Sequence, residues 1–128
     1  MATIRAHTRI NRSADEVWKV VSDAGSMEWF PGVDGSVLNG KTRTVTFSGG
    51  INVDEEIVTS DDELRRFQYR IVGGALPVDF HLGTVDVLED GDGSLVIYST
   101  EIEPDGLRDI MNKSVASAVD GLKAHLER

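Results

Sequence analysis

Polar and apolar positions alternate in the first segment of the chain, Thr3–Asn11. The even-numbered residues from Ile4 to Ile10 are uncharged, and the odd-numbered residues from Arg5 to Arg9 are all basic. A period of two residues is typical of a strand with one buried and one solvated face. We therefore expect a strand here, with its even-numbered side chains directed into a core.

A short helix is predicted directly after this strand. Ser13 stands three residues before Glu16, the spacing of a capping box in which each side chain binds an amide at the helix start. Gly25 is expected to end the helix, and Ser26–Phe30 to form a further helical turn that a Pro-Gly pair breaks. The apolar face of the helix is formed by Val17, Trp18, Val20 and Val21.

Between Val33 and Glu103, turn residues divide the chain into short segments that lack helical periodicity. Asn39-Gly40, for example, is a strong signal for a type I′ hairpin turn. Strands joined by short turns pair with their neighbours, so we expect an antiparallel meander that has about seven strands when the first is included. The six further strands are predicted at Val33–Leu38, Thr42–Ser48, Ile51–Thr59, Arg65–Val72, Val78–Glu89 and Leu95–Glu103.

The C-terminal segment has the periodicity of a long helix. Asp105 is placed to cap it, and apolar residues then recur at spacings of three and four. A sheet of this size curls. An amphipathic helix that lies in its concave face buries both that face of the sheet and the apolar face of the helix. We predict a single α+β domain over residues 1–128, with a curved antiparallel sheet wrapped around the C-terminal helix and one or two short helices after the first strand. The apolar helix residues are Leu107, Ile110, Met111, Val115, Ala118, Leu122 and Leu126.

The amino-acid composition excludes several kinds of functional site. The 128 residues include no cysteine, which excludes disulfides, thiolate nucleophiles and cysteine-bound metal clusters. The three histidines, His7, His81 and His125, are too far apart in sequence for a common metal-binding motif. We expect neither a metal nor another cofactor. The acidic run Asp54-Glu55-Glu56 is interpreted as a solvated strand edge.

The charge balance limits the partners. Asp and Glu total 22 against 13 Lys and Arg, which gives a formal net charge of −9. Such a chain repels nucleic acid and anionic membranes. The N-terminal residues lack the apolar run of a signal peptide, and no segment approaches the ~20 apolar residues of a membrane span. We expect a cytoplasmic protein, and the sequence leaves its oligomeric state open.

Several short motifs occur in order along the chain. Ser13–Trp18 begins the first helix, Glu28–Val33 carries a Trp-x-Pro-x-Val pattern, and Tyr69–Gly74 and Gly121-Leu122 follow at suitable separations. In this order they resemble the SRPBCC, or START-like, superfamily, and in particular its polyketide cyclase/dehydrase-like branch. The resemblance implies the helix-grip fold and a cavity between the long helix and the concave sheet, where the function of the superfamily resides.

Two glycine-rich loops also resemble the mobile loops of the plant abscisic-acid receptors in the same superfamily. Phe47–Ile51 stands where their gate loop lies, and Val72–Pro77 where their latch loop lies. The hormone-receptor function is not carried over, because no lysine occupies the strand after Pro31 and the gate loop lacks its Leu-Pro. The resemblance implies gating roles for Gly49, Gly50, Gly73, Gly74, Leu76 and Pro77.

Strand alternation then predicts which side chains line the cavity. The resemblance places His81 inside it, and Asp79 shares that face of its strand. On the last strand, the face assigned to the cavity holds Glu101 and its alternate neighbours. The candidate ligand-binding residues are Trp29, Phe30, Arg43, Phe47, Phe67, Tyr69, Asp79, His81, Ile97, Ser99, Glu101, Met111 and Val115.

A histidine beside a carboxylate in an apolar cavity is suited to acid–base catalysis. Glu101 or Asp79 would fix the tautomer of His81, and the apolar walls would shift the pKa of both groups towards neutrality. Tyr69 would polarise a substrate carbonyl. His81, Glu101 and Tyr69 are therefore the candidate catalytic residues. Arg43 has two interpretations, as an inward counter-ion of an acidic ligand or as a residue with a surface or ion-pair role.

Three functions remain open on this basis. The first is a carrier or sensor that binds a lipid, isoprenoid or polyketide-like molecule. The second is a metal-free enzyme of the cyclase or dehydratase type that uses His81 with Glu101 or Asp79. The third is a module that presents its surface to a protein partner. A cavity with few polar groups favours the first.

Overall fold

A seven-stranded antiparallel sheet forms the frame of the computed structural model, which describes residues 1–128. The strands follow the order β1-β7-β6-β5-β4-β3-β2, so each pairs with its sequence neighbour and β1 joins β7. The predicted architecture is confirmed. The elements are β1 (Ala2–Ile10), α1 (Ala14–Val21), β2 (Val33–Asn39), β3 (Thr42–Phe47), β4 (Ile51–Asp61), β5 (Arg66–Gly74), β6 (Phe80–Asp90), β7 (Gly93–Glu103), a 3-10 turn (Asp105–Leu107) and α2 (Arg108–Leu126).

Half of the capping box predicted at the start of α1 is present, since the Glu16 carboxylate accepts from the Ser13 hydroxyl at 3.1 Å rather than from the Ser13 amide. The Oγ atom of Ser13 accepts a hydrogen bond from the backbone amide of Glu16 at 3.2 Å. The helix ends at Val21, earlier than the predicted Gly25, and Ser26–Phe30 forms turns rather than a second helix. A single short helix therefore follows the first strand.

The start of α2 differs from the prediction. Asp105 does not cap the helix, which is preceded by the 3-10 turn and has no side-chain cap. Its carboxylate instead lies 3.0 Å from the N-terminal amine of Met1, because β1 begins beside the end of β7. Ile110, predicted on the buried face of α2, is 60% exposed.

The core lies between α2 and the concave face of the sheet. Met111, Val115, Ala118 and Leu122 of α2 are buried there, as the helical spacing predicts. Gly121 allows the segment after α1 to approach α2 closely, since a Cβ atom there would lie 2.5 Å from the carbonyl oxygen of Trp29. Neither helix has the length and apolar character needed to span a membrane.

Candidate functional site

A cavity of about 400 Å³ lies between the first turns of α2 and the β3–β6 part of the sheet. Ile51 and Ile110 line it and are 50% and 60% exposed, so the cavity opens to solvent between β4 and α2. Only three of its lining residues are not hydrophobic, namely Glu55, His81 and Ser114. We call this space the cavity.

Six of the predicted site residues line the cavity. They come from six separate elements and loops of the chain, and both Tyr69, which strand alternation placed on the inner face, and His81, which the family resemblance placed there, are buried. The structure thus brings together side chains that are far apart in sequence. The six are Phe30, Phe47, Tyr69, Leu76, His81 and Met111.

The face predicted for β7 is wrong. The register pairs His81 of β6 with Ile102 of β7, and directly paired residues point to the same side of the sheet. The even-numbered residues of β7, such as Tyr98, are therefore buried and the odd-numbered ones face outward. Ile97, Ser99 and Glu101 lie on the outer face, away from His81.

Other predicted residues also lie outside the cavity. Asp79 is exposed in the loop before β6, so neither predicted carboxylate partner of His81 is inside. Val115 is buried deeper along α2. Trp29, Phe67 and Arg43 surround a water-sized void of about 10 Å³ beneath the cavity.

The glycines predicted to gate the cavity occupy two loops. Gly49 and Gly50 form the β3–β4 turn beside Phe47 and Ile51, and both have positive φ angles. Of the β5–β6 loop, only Ala75 and Leu76 line the cavity. Gly73, Gly74 and Pro77 line a separate recess described below. Gating by these loops stays a prediction.

Eight of the lining residues are absent from the list of candidate site residues. Most are aliphatic side chains whose position depends on how the loops fold over the sheet. Glu55 is the exception, because the alternation of β4 puts it on the same face as buried Val53. The interpretation of Asp54-Glu55-Glu56 as a solvated edge is wrong for Glu55, which is 5% exposed. The eight are Met27, Ile51, Val53, Glu55, Ile71, Ala75, Ile110 and Ser114.

His81 lies where the sheet splits. β5 and β6 pair only from Arg66↔Asp86 to Tyr69↔Gly83, and beyond this point the strands diverge. The Nδ1 atom of His81 accepts a hydrogen bond from the backbone amide of Ile71 at 3.1 Å. The ring thereby replaces the strand partner that Ile71 lacks.

The protonation state of His81 follows from this contact. The side chain is 2% exposed, and burial lowers the pKa of His81 to about 4. A neutral ring whose Nδ1 accepts a hydrogen bond must carry its proton on Nε2. This Nε2 atom is buried and has no hydrogen-bond partner in the protein. His81, whose side chain forms part of the cavity wall, therefore has an unused N–H donor that is shielded from water.

Glu55 is the second polar side chain at the wall. Its Oε1 atom accepts a hydrogen bond from Nε of Arg43 at 2.7 Å, and both side chains are buried. Burial, as the main cause, raises the pKa of Glu55, while the Arg43 charge lowers it. The predicted role of Arg43 as an ion-pair partner is thus the one observed.

Arg43 is itself held from several sides. Its Nη1 atom donates to the carbonyl oxygen of Ala24 at 3.1 Å. Its guanidinium carbon lies 5.3 Å from the ring centroid of Phe67 and 5.2 Å from that of Tyr69, within the range of cation–π contacts. The ion pair is therefore fixed in the core, behind the cavity wall.

Tyr69 completes the polar end of the cavity. Its hydroxyl is hydrogen bonded to that of Tyr98, and burial raises the pKa of both phenols. The ring passes over Gly83, where a Cβ atom would lie 2.6 Å from Cε1 of Tyr69. Glycine at this position is required by the close approach of the phenol to β6.

A second space, the recess, lies in the split between β5 and β6. It has a volume of about 500 Å³ and shares Ile71, Leu76 and His81 with the cavity. These three residues form the partition between an apolar interior and the solvent-facing recess.

The arrangement is suited to an uncharged, mostly apolar molecule. It combines aliphatic and aromatic walls with a neutral N–H donor and a carboxylate whose charge is already balanced by Arg43. The residues form no group of three or more His, Cys, Asp or Glu side chains suited to hold a metal ion.

Comparisons with known proteins agree with this architecture. A family model described as polyketide cyclase/dehydrase and lipid transport matches residues 1–128. No protein among those with curated descriptions matches the sequence.

Three solved structures illustrate the similarity of fold. The protein XoxI from Bacillus cereus has a TM-score of 0.91 and 23% identity, covering 99% of this chain and 96% of its own. An uncharacterised protein from Bacillus thuringiensis has a TM-score of 0.91 and 21% identity, covering 99% and 100%. Norcoclaurine synthase from Thalictrum flavum, in complex with dopamine and hydroxybenzaldehyde, has a TM-score of 0.77 and 21% identity, covering 98% and 86%. At these identities the likeness concerns the fold alone.

Proposed function

The chain belongs to the polyketide cyclase/dehydrase and lipid transport family, and on this basis we propose that it binds a small, largely apolar molecule in the cavity as a carrier or sensor. The ligand carries a hydrogen-bond acceptor, such as a carbonyl oxygen, which receives the Nε2–H of His81.

The observation that carries this proposal is the unpartnered Nε2 atom of His81. A buried donor without an acceptor costs roughly 1–3 kcal/mol, and native proteins leave few such groups unsatisfied. Because the His81 side chain forms part of the cavity wall, a bound molecule supplies the missing acceptor once a small shift of the wall uncovers this shielded atom.

The size and walls of the cavity support the same function. A volume of about 400 Å³ lies within the range of about 300–1,000 Å³ that is usual for small-molecule sites. Burial of an apolar ligand against side chains such as Phe30, Ile71 and Met111 supplies the main driving force. The single donor then fixes the ligand's orientation.

Binding accounts for the residues better than the cyclase or dehydratase alternative. That alternative needs a base beside His81, and Glu101 and Asp79 both lie outside the cavity. His81 also has its Nδ1 occupied by Ile71 and its proton on Nε2, which suits it to donate a hydrogen bond rather than to accept a proton.

Calorimetry with two matched probes tests the proposal. The probes are 2-acetylnaphthalene and 2-isopropylnaphthalene, which are similar in shape but differ in the carbonyl oxygen. We expect the wild-type protein to bind the ketone about fivefold more tightly, which corresponds to about 1 kcal/mol for one hydrogen bond. In His81→Asn, whose Oδ1 can still accept from Ile71 but whose shorter side chain does not reach the position of Nε2, this preference is expected to disappear. Equal wild-type affinities, or no saturable binding of either probe, would overturn the proposal.

A further inference from the structure

One oxygen of Glu55 is left without a protein partner. Arg43 donates to Oε1, and no second hydrogen bond to this carboxylate is formed within the protein. Glu55 is 5% exposed and lines the cavity. The cavity is thus a space from which its second oxygen can receive a donor.

Stability alone does not explain this buried pair. Removing two charges from water costs several kcal/mol per ion, and apolar residues of similar volume often replace such pairs at no loss of stability. Arg43 is anchored by the Ala24 carbonyl and by two aromatic rings. It holds the carboxylate in one orientation, as a ligand-binding group requires.

Building on the proposed function, we propose that Glu55 is the second polar contact of the ligand. The ligand then carries a hydrogen-bond donor, a hydroxyl or an amide N–H, in addition to the acceptor that binds His81.

The positions of the two side chains support this assignment. Glu55 pairs directly with Ile71 across β4 and β5, and His81 binds the amide of the same Ile71 from the other side. The two groups thus flank one residue of β5, and because β5 and β6 diverge here their main chains are more than two regular strand spacings, about 10 Å, apart. A rigid molecule of two fused rings is long enough to reach both.

The charge balance of the site favours a ligand whose hydrogen-bond donor is uncharged. Arg43 already balances Glu55, so a cationic ligand would leave the pair with an excess positive charge in an apolar interior. An acidic ligand would face the Glu55 carboxylate, while Arg43 is engaged behind it. A hydroxyl or amide group meets the free oxygen without adding charge.

Binding of acetylnaphthols at pH 7 tests the inference. Each isomer with non-adjacent acetyl and hydroxyl groups is compared with its analogue that has methyl in place of hydroxyl. For at least one isomer, we expect the affinity ratio of hydroxyl to methyl to fall about tenfold or more in Glu55→Gln, the effect of a hydrogen bond to a charged group. The amide presents an N–H donor to the cavity once Arg43 holds its oxygen.

Two further variants complete the experiment. Glu101→Gln makes the same chemical change on the outer face of β7 and should keep the wild-type ratio. The double variant Arg43→Met/Glu55→Leu leaves no unpaired charge and should show the same loss of hydroxyl preference as Glu55→Gln.

The inference fails if the ratio for every isomer is the same in wild type, Glu55→Gln and the double variant. That result leaves the proposed function intact when the parent ketone still binds in a manner that depends on His81. Failure of the proposed function appears separately, as loss of the ketone preference in the wild-type protein.

Discussion

The imidazole of His81 takes the place of a missing strand partner for Ile71. The Ile71 amide points towards β6 at the level where β5 and β6 no longer pair, and it donates to Nδ1 of His81 at 3.1 Å. A backbone amide cannot accept a hydrogen bond, so this contact requires an unprotonated Nδ1. Neutral His81 is thus part of the sheet as well as of the cavity wall.

The stability of the fold should depend on pH through His81. The pKa of His81 is about 4 in the folded chain and 6.5 when unperturbed, so the unfolded chain takes up a proton first as pH falls. The free energy of unfolding is expected to decrease from about pH 6.5 to about pH 4, by about 3 kcal/mol in total, and to lose no more below that range through this group. Urea unfolding across this range measures it.

The variant His81→Asn should flatten this pH dependence, because asparagine does not titrate and still offers an acceptor to Ile71. His7→Asn changes an exposed histidine of β1 and serves as the matched control. Glu55 acts in the opposite direction, since its raised pKa favours the folded state on acidification. A slope in His81→Asn equal to that of wild type would contradict the prediction.

Replacing one member of the buried ion pair should lower the free energy of unfolding more than replacing both members. Arg43→Met leaves Glu55 buried and unpaired, which we expect to lower the free energy of unfolding at pH 7 by about 3–5 kcal/mol. Arg43→Met/Glu55→Leu should recover most of that loss. The comparison is made by urea unfolding.

The exposed pair Arg70–Glu56, also 2.7 Å apart, provides the control on the opposite face of the sheet, between β5 and β4. Its single and double replacements should each change stability by less than about 1 kcal/mol. Equal losses for the buried and exposed pairs would show that burial of Arg43 and Glu55 has no such effect.

Gly83→Ala should destabilise the protein and displace Tyr69. The added methyl group would come within 2.6 Å of the phenol ring, and such overpacking costs about 1–3 kcal/mol. Gly106→Ala meets no atom within 4 Å and should have little effect. Thermal unfolding measures stability, and the chemical shifts of the Tyr69 ring report its movement. Unchanged shifts in a folded Gly83→Ala would refute the prediction.

Filling the cavity from α2 should block ligand binding without unfolding the protein. Ser114 lines the cavity, whereas Ser117 is exposed on the same helix. Ser114→Phe is expected to weaken binding of 2-acetylnaphthalene at least about tenfold, and Ser117→Phe to leave it unchanged, because only the first ring occupies ligand volume. Undiminished affinity in Ser114→Phe would place the ligand elsewhere.

The sequence was sufficient for the sheet because local signals and strand pairing agree. The Asn39-Gly40 turn and the alternation in β1 and β5 all led to the observed arrangement. The error in β7 arose where both faces carry apolar residues, as in Val96 and Ile97. The polar run Ser99, Glu101 and Glu103 was the available indication that the odd-numbered face meets solvent.

The polar end of the site was harder to predict. Glu55 stands between two other acidic residues, and composition alone suggests a solvated strand. Its burial depends on Arg43 twelve residues earlier, a pairing that requires the β3–β4 register. Likewise, the loss of pairing between β5 and β6 that gives His81 its acceptor role has no local sequence signal beyond the glycines near it.

The split sheet has a mechanical consequence. β5 and β6 are joined through four residue pairs, whereas β6 and β7 are joined through eleven. The sheet thus consists of two well-paired groups of strands, the ribbons β1-β7-β6 and β5-β4-β3-β2. Only the short β5–β6 pairing, which we call the seam, connects them. His81 belongs to one ribbon and Glu55 to the other. A molecule bound by both side chains would therefore link the two ribbons. Its release would allow the ribbons to move relative to each other about the seam.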